Sequence, residues 1–184
     1  MRTAWRPTPS RLQPVLVRAS AAELTYAEVG AAAGELPTGY TALEQVTDLG
    51  AGASVLPRVG GALLRWELHR EARMVLAATD PDVRVGGTVV SAAPAGPLAL
   101  LATCRVVAVL DGPDRMGFAY GSLPGHPLVG EEQLSVELSA GRVVFRIRSF
   151  SRPVGLAGVL PAAARTGQRL VNRRYAAAAR RLAA

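Results

Sequence analysis

The chain contains no lysine: all 21 of its basic residues are Arg. It has one Cys (Cys104), one Ile (Ile147), one Asn (Asn172), two His and only 5% aromatic residues. Each scarcity excludes something. A lone cysteine cannot form an internal disulfide, which fits a reducing cytosol. Cys104 lies within the apolar run LALLATCRVVAVL, where a buried, inert thiol is expected. Two His and one Cys, far apart and without ligand spacing, speak against a metal site. So few aromatics leave little to stack on nucleic-acid bases. The longest apolar stretch, Leu98 to Leu110, is too short to span a bilayer and contains Arg105. Pro7, Pro9 and Pro14 interrupt the N-terminus, and no apolar signal-peptide core follows. There is no Walker loop, dinucleotide fingerprint or nucleophile elbow, so no cofactor is expected. These absences describe a soluble, cytoplasmic protein without a transmembrane segment, and they leave its oligomeric state open. The Arg-only usage, with abundant Ala and Gly, reads as the codon bias of a GC-rich bacterial genome. The alternative is Arg chosen for two-pronged recognition of anions.

What is present describes a folded chain. At 184 residues it is one domain with at most a short extension. A domain of this size buries roughly 70% of its unfolded surface. The charge is unevenly placed: residues 1–150 hold 14 Arg and 14 acidic residues, whereas residues 151–184 hold seven Arg and no acid. The whole formal net charge of +7 therefore belongs to the last segment.

Residues 1–20 read as an irregular arm in which Trp5 pins the chain to the body, followed by one domain over residues 21–184. Ala21 to Ala33 reads as a short helix or a loop with a helical turn, and GELPTGY (Gly34 to Tyr40) as a turn. Thr41 to Leu49 alternates as a first strand. A helix is expected from about Pro57 to Glu71, with Val59, Leu63 and Trp66 as its apolar stripe. The period then changes. Met74 to Thr79, Arg84 to Ala92, Leu98 to Leu110, Arg115 to Ser122, Gln133 to Leu138 and Arg142 to Phe150 all read as strands. Asp80-Pro81, Ala95-Gly96-Pro97, Asp111-Gly112-Pro113 and Ala140-Gly141 punctuate them, as a meander of antiparallel strands requires. From about Pro161 to Ala184 a helix places Leu160, Ala164, Gly167, Val171, Tyr175, Ala178 and Leu182 on one face. Arg165, Arg169, Arg173 and Arg180 fall on the other.

This order implies an α+β fold, a curved antiparallel sheet of about six or seven strands wrapped on a long C-terminal helix. The element order resembles the helix-grip arrangement of the START and Bet v 1-like superfamily. That resemblance implies a cavity between sheet and helix for lipids or other apolar molecules, with some members acting as enzymes. At motif level the chain resembles a bacterial and plant family classed as a domain of unknown function. The pieces are LTYAEVGA (Leu24 to Ala31), PTGY (Pro37 to Tyr40), LLRWELHR (Leu63 to Arg70), GTVV (Gly87 to Val90) and CRVV (Cys104 to Val107). They continue with GFAYGSLPGHP (Gly117 to Pro127), GEE (Gly130 to Glu132) and FSRP (Phe150 to Pro153). Two positions depart from the family pattern. Ser122 stands where Thr is expected, and Leu128 follows His-Pro where an acidic residue is usual.

The stretch Gly117 to Glu132 (GFAYGSLPGHPLVGEE) concentrates the candidate site. It reads as a shaped connection between two strands, the usual place for function on a rigid scaffold. His126 suits a general acid/base or a ligand-orienting group, or else fixes the loop by hydrogen bonds. Glu131 and Glu132 are neighbours, so on a strand they point to opposite faces and at most one meets a cavity. Otherwise one is solvated and one is paired with Arg. Tyr120 and Ser122 share strand parity with Phe118 and either line an interior together or pack as core. Arg152 binds an anionic group or pairs with Glu131 or Glu132. Tyr26, Glu28, Trp66 and His69 are weaker candidates. The expected partner is a small apolar or amphipathic molecule held by Tyr120, Ser122, His126, Glu131, Glu132 and Arg152. An enzyme using the same pocket, with His126 or Glu131 as base, is the first alternative. The second is an interaction module that docks the Arg-rich helix on an anionic partner, for which nucleic acid is disfavoured.

Overall fold

The computed structural model describes residues 7–95, 98–159 and 161–184. Trp5 and the Gly96-Pro97 turn lie outside the described residues, as does Leu160 of the expected helix face. The elements are α1 (Pro9–Ser20), a 3-10 turn (Ala31–Ala33), β1 (Thr41–Gly50), α2 (Val55–Leu64), α3 (Glu67–Glu71) and β2 (Val75–Ala78). They continue as β3 (Thr88–Ala95), β4 (Leu98–Asp111), β5 (Arg115–Ser122), β6 (Leu128–Ser139), β7 (Arg142–Pro153), α4 (Leu156–Val159) and α5 (Pro161–Ala183).

The seven strands form one antiparallel sheet in the order β1-β7-β6-β5-β4-β3-β2. The chain leaves β1 at one edge, crosses through α2 and α3 to β2 at the other, and returns strand by strand to pair β7 with β1. This is the helix-grip arrangement that the element order implied. The inner face carries the main core: Phe118, Leu134, Phe145 and Ile147 of the sheet meet Leu63, Trp66 and Tyr175 of the helices, all buried. Ala178 and Ala179 are fully buried, so small side chains let the C-terminal half of α5 come down on this face.

Residues 9–20 are not an irregular arm. They form α1, whose Leu12, Leu16 and Ala19 pack on Ala77, Val90, Ala92, Ala99 and Leu101 of the outer sheet face. The prolines that read as interruptions fit this helix. Pro9 stands in its first turn, where a missing N–H costs nothing. Thr8 caps it by accepting the Arg11 N–H, and Pro14 faces solvent. The expected helix from Pro57 to Glu71 is two helices, broken where Trp66 takes a left-handed conformation (φ 60°). The turn brings Trp66 and His69 together in the core, edge to face at 5.4 Å.

The stretch Gly117 to Glu132 is mostly strand. Only Leu123–Pro127 connects β5 to β6, because β6 begins at Leu128. Its glycines make room for close neighbours. A Cβ on Gly121 would lie 2.1 Å from the Tyr26 hydroxyl, and one on Gly130 would lie 2.0 Å from the Phe150 carbonyl oxygen.

Candidate functional site

A cavity of about 400 Å³ separates the sheet from the N-terminal half of α5. Val89 and Ala93 of β3, Leu100 and Cys104 of β4, and Ala164, Gly167 and Val171 of α5 make most of its apolar wall. Its polar wall is a row across three strands. Tyr120 of β5 pairs in register with Glu132 of β6, which pairs with Ser149 of β7. Residues so paired point to the same face, with Cβ atoms about 5 Å apart. The Tyr120 hydroxyl donates to Glu132 Oε2 at 2.9 Å. Asn172 of α5 and His69 of α3 close the wall from the helix side.

The electrostatics follow from burial. Glu132 is half-buried and borders the cavity. Desolvation raises its pKa to about 7, and the Tyr120 hydrogen bond offsets part of that rise. Burial also pushes Tyr120 well above its usual value, with the Glu132 charge adding to it. It raises Tyr175 and Cys104 in the same direction. His69 is 1% exposed, and burial with the nearby Arg70 lowers it to about 3, so its ring is neutral. Its Nδ1, Ser149 Oγ and both amide atoms of Asn172 have no hydrogen-bond partner among the described residues. Ser149 and Asn172 are each 1% exposed. Buried polar atoms are nearly always paired, so these unmet groups beside one cavity form a specific pattern.

Of the six candidates, Tyr120, Ser122, His126, Glu131 and Glu132 border the cavity, and Arg152 does not. Arg152 is exposed, its guanidinium 5.6 Å from the centre of the Tyr40 ring, and it pairs with neither Glu131 nor Glu132. The two glutamates part company. Glu132 turns to the cavity. Glu131 turns to the outer face, where it accepts the Tyr26 hydroxyl at 2.6 Å, the Gly30 N–H at 2.8 Å and the Ala32 N–H at 3.0 Å. That carboxylate ties the segment between Tyr26 and Ala32 to the sheet and has no free oxygen with which to act as a base. Ser122 is engaged too, within 2.6 Å of the Thr25 hydroxyl and accepting the Gly130 N–H at 3.0 Å.

His126 stands in the β5–β6 turn, its Nδ1 2.9 Å from the Leu128 N–H and 2.7 Å from the Leu128 carbonyl oxygen. With Nδ1 bare the ring accepts from the amide; with a proton on Nδ1 it donates to the carbonyl. Burial lowers its pKa to about 4, against that carbonyl. Asn172, Ser149 and Tyr175 were not among the candidates. The signal for Asn172 was present: it is the single Asn of the chain, set in a helix rich in Ala and Arg. Ser149 follows Val143, Phe145 and Ile147 on one strand face and interrupts their apolar row.

The described residues hold no cluster of His, Cys, Asp and Glu suited to a metal ion. No described helix is long and apolar enough to cross a membrane. On α5, Arg165, Arg169, Arg173 and Arg180 are exposed, while Arg174 donates to the Pro94 carbonyl and Arg181 pairs with Glu71.

Comparison with known proteins agrees with this architecture. The di-domain ARO/CYC StfQ of the steffimycin biosynthetic pathway superposes with a TM-score of 0.51 at 15% identity, covering 78% of this chain and 49% of that one. The major latex-like protein 151 of Panax ginseng superposes with a TM-score of 0.50 at 13% identity, covering 75% and 96%. At such identities the likeness concerns the fold alone, which is Bet v 1-like. By sequence, a UPF0548 protein of Deinococcus radiodurans is 34% identical over 158 residues, 79% of this chain and 80% of that one. The family described as Domain of unknown function (DUF1990) matches residues 25–178, and the chain belongs to it.

Proposed function

We propose that the protein binds a small apolar or amphipathic molecule, in the cytosol and without a cofactor, between its sheet and α5. One observation carries this reading: a cavity of about 400 Å³, mostly apolar, on whose wall Glu132 keeps one carboxylate oxygen without a partner among the described residues. Small-molecule sites usually occupy about 300–1,000 Å³ and combine an apolar lining with a small number of placed polar groups. An apolar body meets the Val, Leu and Ala wall, and a polar head meets Glu132. Native mass spectrometry of the purified protein, followed by solvent extraction, tests it. A stoichiometric small molecule is the expected result. An apo mass that persists against a broad set of apolar compounds overturns it.

Turnover in the same cavity is a second reading, favoured by one group. Glu132, held near neutrality and joined to the Tyr120 hydroxyl, can take up or release a proton at working pH. Glu131 is set aside as the base because both of its oxygens are engaged, and His126 engages Nδ1 in its turn, which leaves only its Nε2 for that role. Wild type should convert the extracted molecule while Glu132→Gln binds it unchanged. Equal conversion by both removes this reading.

A further inference from the structure

The cavity wall carries a carboxylate without a counter-charge. The chain has 21 Arg, yet among the described residues none lines the cavity. Glu132 Oε2 is taken by the Tyr120 hydroxyl, and Oε1 has no hydrogen-bond partner among the described residues. The polar and titratable side chains that share the cavity wall with it include Tyr120 of β5, Cys104 of β4, Ser149 of β7, His69 of α3, and Asn172 and Tyr175 of α5. They are hydroxyls, a thiol, an amide and an imidazole that burial keeps neutral; none is a cation. A carboxylate enclosed in apolar surroundings is costly unless a cation pairs with it. Ser149 and Asn172, whose polar atoms are also unpartnered, are each 1% exposed and offer an occupant no accessible acceptor. What Glu132 Oε1 lacks is positive charge or a hydrogen-bond donor. A ligand with an acidic head would instead bring like charge to Glu132.

We infer that the occupant is an amine on an apolar body, its ammonium group paired with the unpartnered Oε1 of Glu132. This rests on the ligand-binding reading and specifies its head group. The shape of the apolar body is set by the remaining wall, and the head is what the chain discriminates. Burial of Glu132 supports the assignment: an arriving cation favours the charged carboxylate that the empty cavity disfavours.

The test is a series of one chain and three heads: decylamine, decan-1-ol and decanoate. Each displaces the neutral fluorophore N-phenyl-1-naphthylamine from the whole protein at pH 8, with calorimetry on the same samples. Decylamine is expected to bind at least about tenfold more tightly than decan-1-ol, the scale of one charge-assisted hydrogen bond in a desolvated site. Decanoate is expected to bind more weakly than the alcohol. Glu132→Gln removes the preference for the amine and leaves decan-1-ol binding in place. Should that variant fail to fold, wild type alone decides: decylamine binding weakens between pH 8 and pH 5.5, as Glu132 takes up its proton, while decan-1-ol binding holds. Decanoate binding as tightly as decylamine overturns the inference, as does an amine preference that survives Glu132→Gln. Binding of the fluorophore and decan-1-ol without preference for the amine overturns the head assignment alone. Binding of none of the probes overturns the cavity reading with it.

Discussion

Glu132→Gln should stabilise the empty protein, and by an amount that depends on pH. Burial lifts the folded-state pKa of Glu132 from its ordinary value of 4.5 to about 7. The folded state therefore holds this proton more tightly than the unfolded chain does. Stability is full below the unfolded pKa and falls as pH rises through the window from about 4.5 to about 7. At about 1.4 kcal/mol for each pKa unit, carrying the charge at pH 8 costs the fold up to about 3 kcal/mol. Gln accepts the Tyr120 hydrogen bond through its amide oxygen and never ionises, so the variant escapes that cost. His69 and His126 act with the opposite sign. Their folded pKa values, about 3 and about 4, lie below the usual 6.5, so they destabilise the fold as pH falls below about 6.5. Both are present in wild type and variant and cancel in the difference. Thermal unfolding of the two proteins from pH 4 to pH 8 is the assay. The curves should nearly meet at pH 4 and diverge above pH 5, with the variant melting about 6–12 °C higher at pH 8. A difference independent of pH would refute the argument, because it would mean that Glu132 is solvated like a surface carboxylate.

Three further outcomes follow from other contacts. Glu131→Ala removes three hydrogen bonds from a carboxylate 2% exposed and strands the buried Ala32 N–H. It should cost about 3 kcal/mol or more in chemical denaturation while leaving the ligand preference of the cavity unchanged. In Gly121→Ala the new methyl would stand 2.1 Å from the Tyr26 hydroxyl, so Tyr26 must leave Glu131. A loss of about 2 kcal/mol is expected, and Tyr26→Phe in the same background should add little because the hydrogen bond is already broken. His69→Phe keeps the ring packing against Trp66, Phe118 and Tyr175 and removes the titrating nitrogens. It should make the acid limb of stability between pH 6.5 and pH 4 shallower, with His126 keeping its share, and change little at pH 8, read from the same melting curves.

The strands were legible because burial on one face imposes a period of two, which survives whatever covers the sheet. Phe145, Ile147 and Ser149 show it, and β7 follows that row. What covers the outer face was less legible. Three prolines argued against order in residues 7–14, yet the contacts that hold α1 are made with Val90, Ala92 and Leu101, some eighty residues away in sequence. Likewise Gly130 read as loop, because the need for a bare backbone beside Phe150 exists only once β6 and β7 are paired. The break at Trp66 is of the same kind. A positive φ at a bulky residue is unfavourable locally and persists only because the surrounding core holds it.

The two adjacent glutamates show how one strand can do two jobs. Alternation assigns them opposite faces, and the structure gives each face a different answer to the cost of a buried carboxylate. On the outer face the cost is met within the chain, by a tyrosine hydroxyl and two backbone N–H groups, so Glu131 acts as a clasp. On the inner face only Tyr120 answers, and the remaining oxygen has no partner among the described residues. A chain with 21 Arg could have placed one beside Glu132; among the described residues it places none there. The arrangement therefore keeps the inner carboxylate costly in the empty protein and available to a molecule that brings the missing charge.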